Sequence, residues 1–320
     1  MPWLILTLSL CLASAAADRP FVLVVVGAPG SDEYGKQFQE WAGRWQEAAG
    51  QGGFEFAAVG LDEAGHLDDR ERLRQRLTEE AANSRRELWL VLIGHGTFDG
   101  RTAKFNLRGP DVSAGELAEW LGRFAGPLAV VNCASASGPF INALSAPNRV
   151  VIAATKSGHE QNFARFGDYL SAAIGDPSAD LDKDHQTSLL EAFLLAAARV
   201  EEFYADAGRL ATEHALIDDN GDQLGTPAAW FEGVRAVKVA KNGANPDGVL
   251  AGQRHLLPSS HERRLTAEAH SRRDALEREI AQLRPRKGQL SEDEYYRLLE
   301  PLIVELSKLY EESNEDAASP

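Results

Sequence analysis

Two residues of this 320-residue chain, Cys133 and His95, have the side chains that nucleophilic catalysis needs. A thiolate can attack a carbonyl, and an imidazole can take and return the proton. Each residue closes an apolar run. Pro127 to Val131 reads as a buried parallel strand and leads into Asn132-Cys133-Ala134-Ser135-Ala136-Ser137-Gly138. The small residues predict a sharp turn that leaves the thiol open to solvent. Glu87 to Ile93 reads as a second strand ending on Gly94-His95-Gly96. Side chains just past the carboxyl ends of parallel strands lie where such sheets bind ligands. A lone cysteine is usually a small buried hydrophobe and a lone histidine a polar loop residue. The pair, on two strand ends of one sheet, points to a nucleophile and its base.

A second constellation suits a hard cation. Asp180-Leu181-Asp182-Lys183-Asp184-His185-Gln186-Thr187-Ser188-Leu189-Leu190-Glu191 carries oxygen donors at positions 1, 3, 5, 9 and 12 of an EF-hand-like loop, with the Gln186 carbonyl at 7. Asp180, Asp182, Asp184, Gln186, Ser188 and Glu191 are therefore the candidate calcium ligands. Position 6 is His185 where glycine is usual, so a left-handed histidine is expected. The alternative is an acidic loop that only caps the following helix. Asp218-Asp219-Asn220-Gly221-Asp222 is a shorter acidic loop without a glutamate at the twelfth place. It reads as a partner loop or as a plain Asn-Gly turn. Gly30 to Lys36 has the spacing of a phosphate loop. Gln37 stands where a Ser or Thr should hold magnesium, and Asp32 and Glu33 would face the phosphates. A nucleotide binder is thus the third reading.

The elements that must position these residues alternate. Strands are predicted over Phe21–Val26, Phe54–Val59, Glu87–Ile93, Pro127–Val131 and Arg149–Ala154. Helices are predicted over Glu33–Ala49, Leu67–Ala82, Ala114–Phe124 and Asn162–Ile174. This is an α/β pattern, a parallel sheet flanked by helices. From Ser259 onward, Leu265, Ala269, Leu276, Ile280 and Leu283, then Tyr295, Leu299, Leu302, Leu306 and Leu309, predict a helical hairpin with a coiled-coil-like seam, kinked at Pro301. Met1 to Ala17 reads as an export signal ending in Ala15-Ala16-Ala17, which places the protein in the periplasm or outside the cell. Its removal takes away Cys11 and leaves Cys133 as the single thiol, so no internal disulfide is expected. The formal net charge of -15 argues against nucleic acid and suits divalent cations.

Ile93-Gly94-His95-Gly96, followed by Val131-Asn132-Cys133, resembles the legumain-type (C13-like) cysteine peptidases of the caspase and gingipain-like superfamily. The resemblance covers about Phe21 to Gly175. It implies a caspase-like parallel sheet and an endopeptidase that cleaves peptide or protein substrates through an acyl-enzyme. Cys133 would be the nucleophile and His95 the base, with the N–H groups of Gly96 and Cys133 as oxyanion hole. Glu33 stands nearest to the place of the family's supporting Asn, Gly35 and Lys36 replace an Arg and His of its specificity pocket, and Val131 replaces an acidic residue. Glu33, Tyr34, Ser157 and Glu160 are the candidate substrate-binding residues, with Glu160 either favouring a basic P1 residue or a solvated loop charge. The expected organisation is a signal over 1–17, a catalytic domain over 18–178, an EF-hand-like region over 179–252, a hairpin over 253–312 that packs on the rest or dimerises, and a disordered tail over 313–320. The rival reading is a catalytically inactive calcium-dependent binding protein on a peptidase-like fold.

Overall fold

A computed structural model describes residues 19–62, 66–82, 86–238 and 245–315. The expected export signal and residues 316–320 of the expected tail lie outside the described residues. The strands are β1 (Phe21–Val26), β2 (Glu55–Val59), β3 (Leu88–Ile93), β4 (Gly96–Phe98), β5 (Ala103–Phe105), β6 (Val112–Ser113), β7 (Leu128–Asn132), β8 (Arg149–Ala153), β9 (Leu216–Asp218), β10 (Thr226–Pro227), β11 (Phe231–Glu232) and β12 (Arg235–Ala236). The helices are α1 (Asp32–Gly52), α2 (Asp69–Ala82), α3 (Ala114–Leu121), α4 (Gly138–Leu144), α5 (Phe166–Ala173), α6 (Leu189–Asp206), α7 (Val249–Gly252), α8 (Ala267–Leu283) and α9 (Glu292–Glu315).

The main sheet has seven strands in the order β10-β9-β8-β7-β3-β1-β2. The five strands from β8 to β2 are parallel, and β9 and β10 join antiparallel at one edge. Strand alternation divides the side chains between two cores. Val22, Val24, Trp89, Val91, Ala129 and Val131 face α1, α5 and α6. Phe21, Leu23, Leu88, Leu90, Leu128 and Val130 face α2, α3 and α4. Both faces are covered, which is why the strands read as continuous apolar runs.

Helix α1 shows how local sequence serves this layout. Ser31 caps it by accepting from the Tyr34 N–H at 3.4 Å, and Asp32 and Glu33 occupy the electropositive first turn. Phe38, Trp41 and Trp45 fall on one face and are buried, each contributing about 1.5–3 kcal/mol by leaving water. Gly53 ends the helix at φ 81°. This geometry removes the nucleotide reading. Asp32 to Lys36 are already helical, so no open loop remains to wrap a phosphate.

Two expected boundaries move. Strand β9 pairs with β8, so the region after residue 179 continues the main sheet. Leu256 is fully buried in the core beside α1, and Leu189 N donates to Arg254 O at 2.8 Å, so the main body extends past residue 252. Helices α8 and α9 form the expected hairpin on Leu276, Ile280, Leu283 and Tyr295. Pro301 lies inside α9, which continues to Glu315, beyond the expected end at 312. The hairpin is tied to the body by Gln253 Nε2, which donates to Glu277 at 2.8 Å, and by the buried Arg273–Glu262 ion pair. Among the described residues, no helix is long and apolar enough to cross a membrane.

Candidate active site

The loops that follow β3 and β7 lie side by side. Gly96 N–H donates to Ser135 Oγ at 3.1 Å, and the Ser135 hydroxyl donates back to Gly96 O at 3.1 Å. A Cβ on Gly96 would stand 2.2 Å from Ser135 O, so only glycine allows this approach. Past β7 the chain turns through Ala136 at φ 54° and enters α4 at Gly138. The sharp turn expected after Cys133 is therefore present.

The open thiol is not. Cys133 is fully buried, its side chain in the core between sheet and helices. It continues the alternation of Ala129 and Val131, and that alternation carries its side chain inward beneath α1 and α5. A Cβ built on Gly167 would stand 2.7 Å from Cys133 Cβ and 2.9 Å from a ring carbon of Trp41, so this corner is tightly packed. Burial pushes the thiol up from 9.0 to about 12, the reverse of the depression that activates a catalytic cysteine.

His95 is half-buried in a ring of aromatic groups, with centroids of Tyr34, Phe38 and Phe163 at 4.9, 5.3 and 5.9 Å. Its Nε2 donates to Pro29 O at 3.1 Å. Among the described residues no hydrogen bond joins imidazole to thiol. Both expected oxyanion donors are also engaged. Cys133 N–H donates to Leu92 O at 2.9 Å within the sheet, and Gly96 N–H is held by Ser135.

The expected substrate-binding residues scatter. Glu33 is exposed on the first turn of α1, and Tyr34 meets His95 edge-on. Ser157 Oγ accepts from His159 N–H at 3.3 Å. Glu160 corrects both expectations made of it. Its carboxylate is largely enclosed, bonded to His214 Nδ1 at 2.6 Å and to Lys156 N–H at 2.9 Å, so it is neither a solvated charge nor a free counterion for a basic residue. The sequence reading missed Ser135, the side chain that joins the two loops; its place beside Gly96 appears only once β3 and β7 pair.

The acidic loop assembles as expected in its first half. One carboxylate oxygen from each of Asp180, Asp182 and Asp184 lies within 4.8 Å of the others. Lys183 and His185 adopt φ 67° and 69°, the left-handed backbone that position 6 requires. Desolvation, then the neighbouring Asp184 and Glu191 charges, push Asp182 up to about 6. The second half differs. Ser188 and Glu191 form a capping box on α6, and the other Glu191 oxygen accepts from Leu181 N–H at 2.7 Å. Glu191 thus holds loop amides and does not present a free bidentate carboxylate. Gln186 keeps its backbone carbonyl available, while its side chain bonds Asp184 and accepts from Ser259 N–H at 3.0 Å. A cavity of about 690 Å³ opens beside Asp182 and Asp184 and reaches Arg273, Glu277 and Leu306 of the hairpin.

No protein-family model and no curated protein matches the chain. Among solved structures it is similar to the crystal structure of the Drosophila initiator caspase Dronc, at a TM-score of 0.42 and 14% identity, covering 65% of this chain and 82% of that one. It is similar also to caspase-1 from Spodoptera frugiperda, at a TM-score of 0.41 and 10% identity, covering 63% and 87%.

Proposed function

We propose that this chain is a calcium-dependent binding protein on a cysteine peptidase-like α/β scaffold, and that its one core thiol is structural. The observation that carries the reading is the contrast between the two constellations. The thiol is sealed and protonated, whereas three carboxylates converge beside a large cavity. Asp180, Asp182 and Asp184 would hold calcium with the Gln186 carbonyl, and Glu191 would fix the loop amides around them. Bound calcium supplies charge that relieves the repulsion among these groups. Because Gln186 also receives Ser259 N–H, an ordered loop would steady the start of the hairpin and the cavity wall where a peptide or protein segment binds.

One observation favours a hydrolase instead. Ser135 Oγ, at 3.1 Å from Gly96 N, is a hydroxyl beside a backbone donor at the strand ends. The test uses two activity probes with and without calcium. An acyloxymethyl ketone is expected to leave Cys133 unlabelled, and a fluorophosphonate to leave Ser135 unlabelled. Labelling of either residue, lost in Cys133→Ala or Ser135→Ala respectively, overturns the binding reading in favour of that nucleophile.

A further inference from the structure

We propose that the loop from Asp218 to Thr226 is a second, independent calcium site. It lies at the sheet edge, between β9 and β10.

Asp218 is fully buried, and one of its carboxylate oxygens, Oδ2, has no hydrogen-bond partner. The other, Oδ1, accepts from Gly221 N–H at 3.0 Å across the loop. A buried carboxylate oxygen without a donor is costly, and a cation removes that cost. Asp218, Asp219 and Asp247 are all at least nine-tenths buried.

The donors around Asp218 are hard oxygens, and their framework is rigid. Asn220 Oδ1 accepts from Asp222 N–H at 2.8 Å, and Asp222 Oδ1 from Leu224 N–H at 2.8 Å. Asp247 Oδ1 takes the N–H groups of Asp219 and Asn220 at 2.9 and 3.1 Å, and its Oδ2 takes the Thr226 hydroxyl. Asp219 in turn accepts from Gly248 N–H and Ala251 N–H. Asp219 and Asp247 are therefore positioning residues that hold the loop from behind, and Asp218, Asn220 and Asp222 are the ligands.

The two loops also share one internal pattern. In the first, Asp180, Asp182 and Asp184 accept from the N–H groups of Lys183, Asp184 and Gln186 at 2.7, 3.3 and 3.0 Å. In the second, Asp218, Asn220 and Asp222 do the same with Gly221, Asp222 and Leu224. Left-handed residues fall at the same fourth and sixth places, Lys183 and His185 in one and Gly221 and Gln223 in the other. All-oxygen ligands in a compact turn of this kind select calcium over softer metals.

The test is calcium titration of the full chain by calorimetry, with terbium luminescence as a second readout. Wild type is expected to bind two ions. Asn220→Ala with Asp222→Asn, both at the less buried rim, is expected to bind one, as is Asp182→Asn with Asp184→Asn in the other loop. Circular dichroism confirms folding of each variant. If the Asn220/Asp222 variant fails to fold, Asp222→Asn alone takes its place. Unchanged stoichiometry in the rim variant overturns the second site. Loss of binding in that variant with retention in the Asp182/Asp184 variant leaves this site standing and removes the first.

Discussion

A thiol reagent applied to the native protein probes the burial of Cys133. A Cys11→Ser variant is used so that Cys133 alone reports. At pH 8 a thiol titrating at 9.0 is about one-tenth thiolate, whereas one titrating at about 12 is thiolate about once in ten thousand molecules. The more basic thiolate recovers about twentyfold in intrinsic nucleophilicity, because reactivity rises with pKa at a slope near 0.45. The chemical retardation is thus about fiftyfold. Packing adds to it, since the sulfur lies against α5 and Trp41 and the reagent reaches it only through local opening. Each ~1.4 kcal/mol of opening free energy costs a further factor of about ten. An aromatic disulfide reagent is therefore expected to react at least about a thousandfold more slowly with the native chain than with the chain in guanidinium, where Cys133 is free. A native rate within tenfold of the unfolded rate would refute the reasoning, because an activated thiol at an open turn reacts faster than an unfolded one.

Gly167→Ala is expected to destabilise the fold by about 1–3 kcal/mol, read from the denaturation midpoint, because its Cβ meets Cys133 Cβ at 2.7 Å. Adding Cys133→Ala should not relieve it, since the Cβ remains, and a wild-type midpoint for Gly167→Ala would refute the packing. Without calcium, stability should fall as pH rises from about 4 toward 7. Asp182, Asp219 and Asp247 hold their protons to higher pH when folded than when unfolded, so the folded state binds more protons across this window. Millimolar calcium should flatten the slope, and a calcium-free melting temperature that climbs through the same window would contradict the assignment. A chain ending at residue 252 should be insoluble for want of Leu256, while one ending at 258 should keep the main sheet cooperative; equal solubility of the two would refute the moved boundary.

Much of the fold was legible because doubly covered strands leave an unbroken apolar record. Phe21–Val26 matches β1 residue for residue, and the helix expected over Glu33–Ala49 lies within α1. Strands β4 to β6 and β9 to β10 were not legible, being two or three residues long, too short to show an alternation, and β9 is held by pairing with the distant β8. The placement of His95 and Cys133 at neighbouring strand ends was also readable. The direction of the thiol was misread, although Ala129, Val131 and Cys133 share one parity; the small residues after Cys133 were given more weight than the alternation that turns it inward. The loop of Asp180 was readable from local spacing down to the left-handed His185. The capping role of Glu191 was not, because Ser188 and Glu191 fit a calcium loop and a capping box equally well. Asp247 escaped notice because it reaches Asp219 from 28 residues away, through tertiary packing alone.

The central claim, that the Asp180 loop binds calcium and thereby steadies this fold, is tested most directly by melting the full chain with calcium and with chelator, beside Asp182→Asn with Asp184→Asn. At a hundredfold excess over the dissociation constant, one site stabilises by about 2.7 kcal/mol, or about 5–10 °C for a chain of this size. Wild type is predicted to gain more from calcium than the variant does, by that margin. Equal gains in the two proteins, or a wild-type melting temperature that chelator leaves unchanged, would contradict the account.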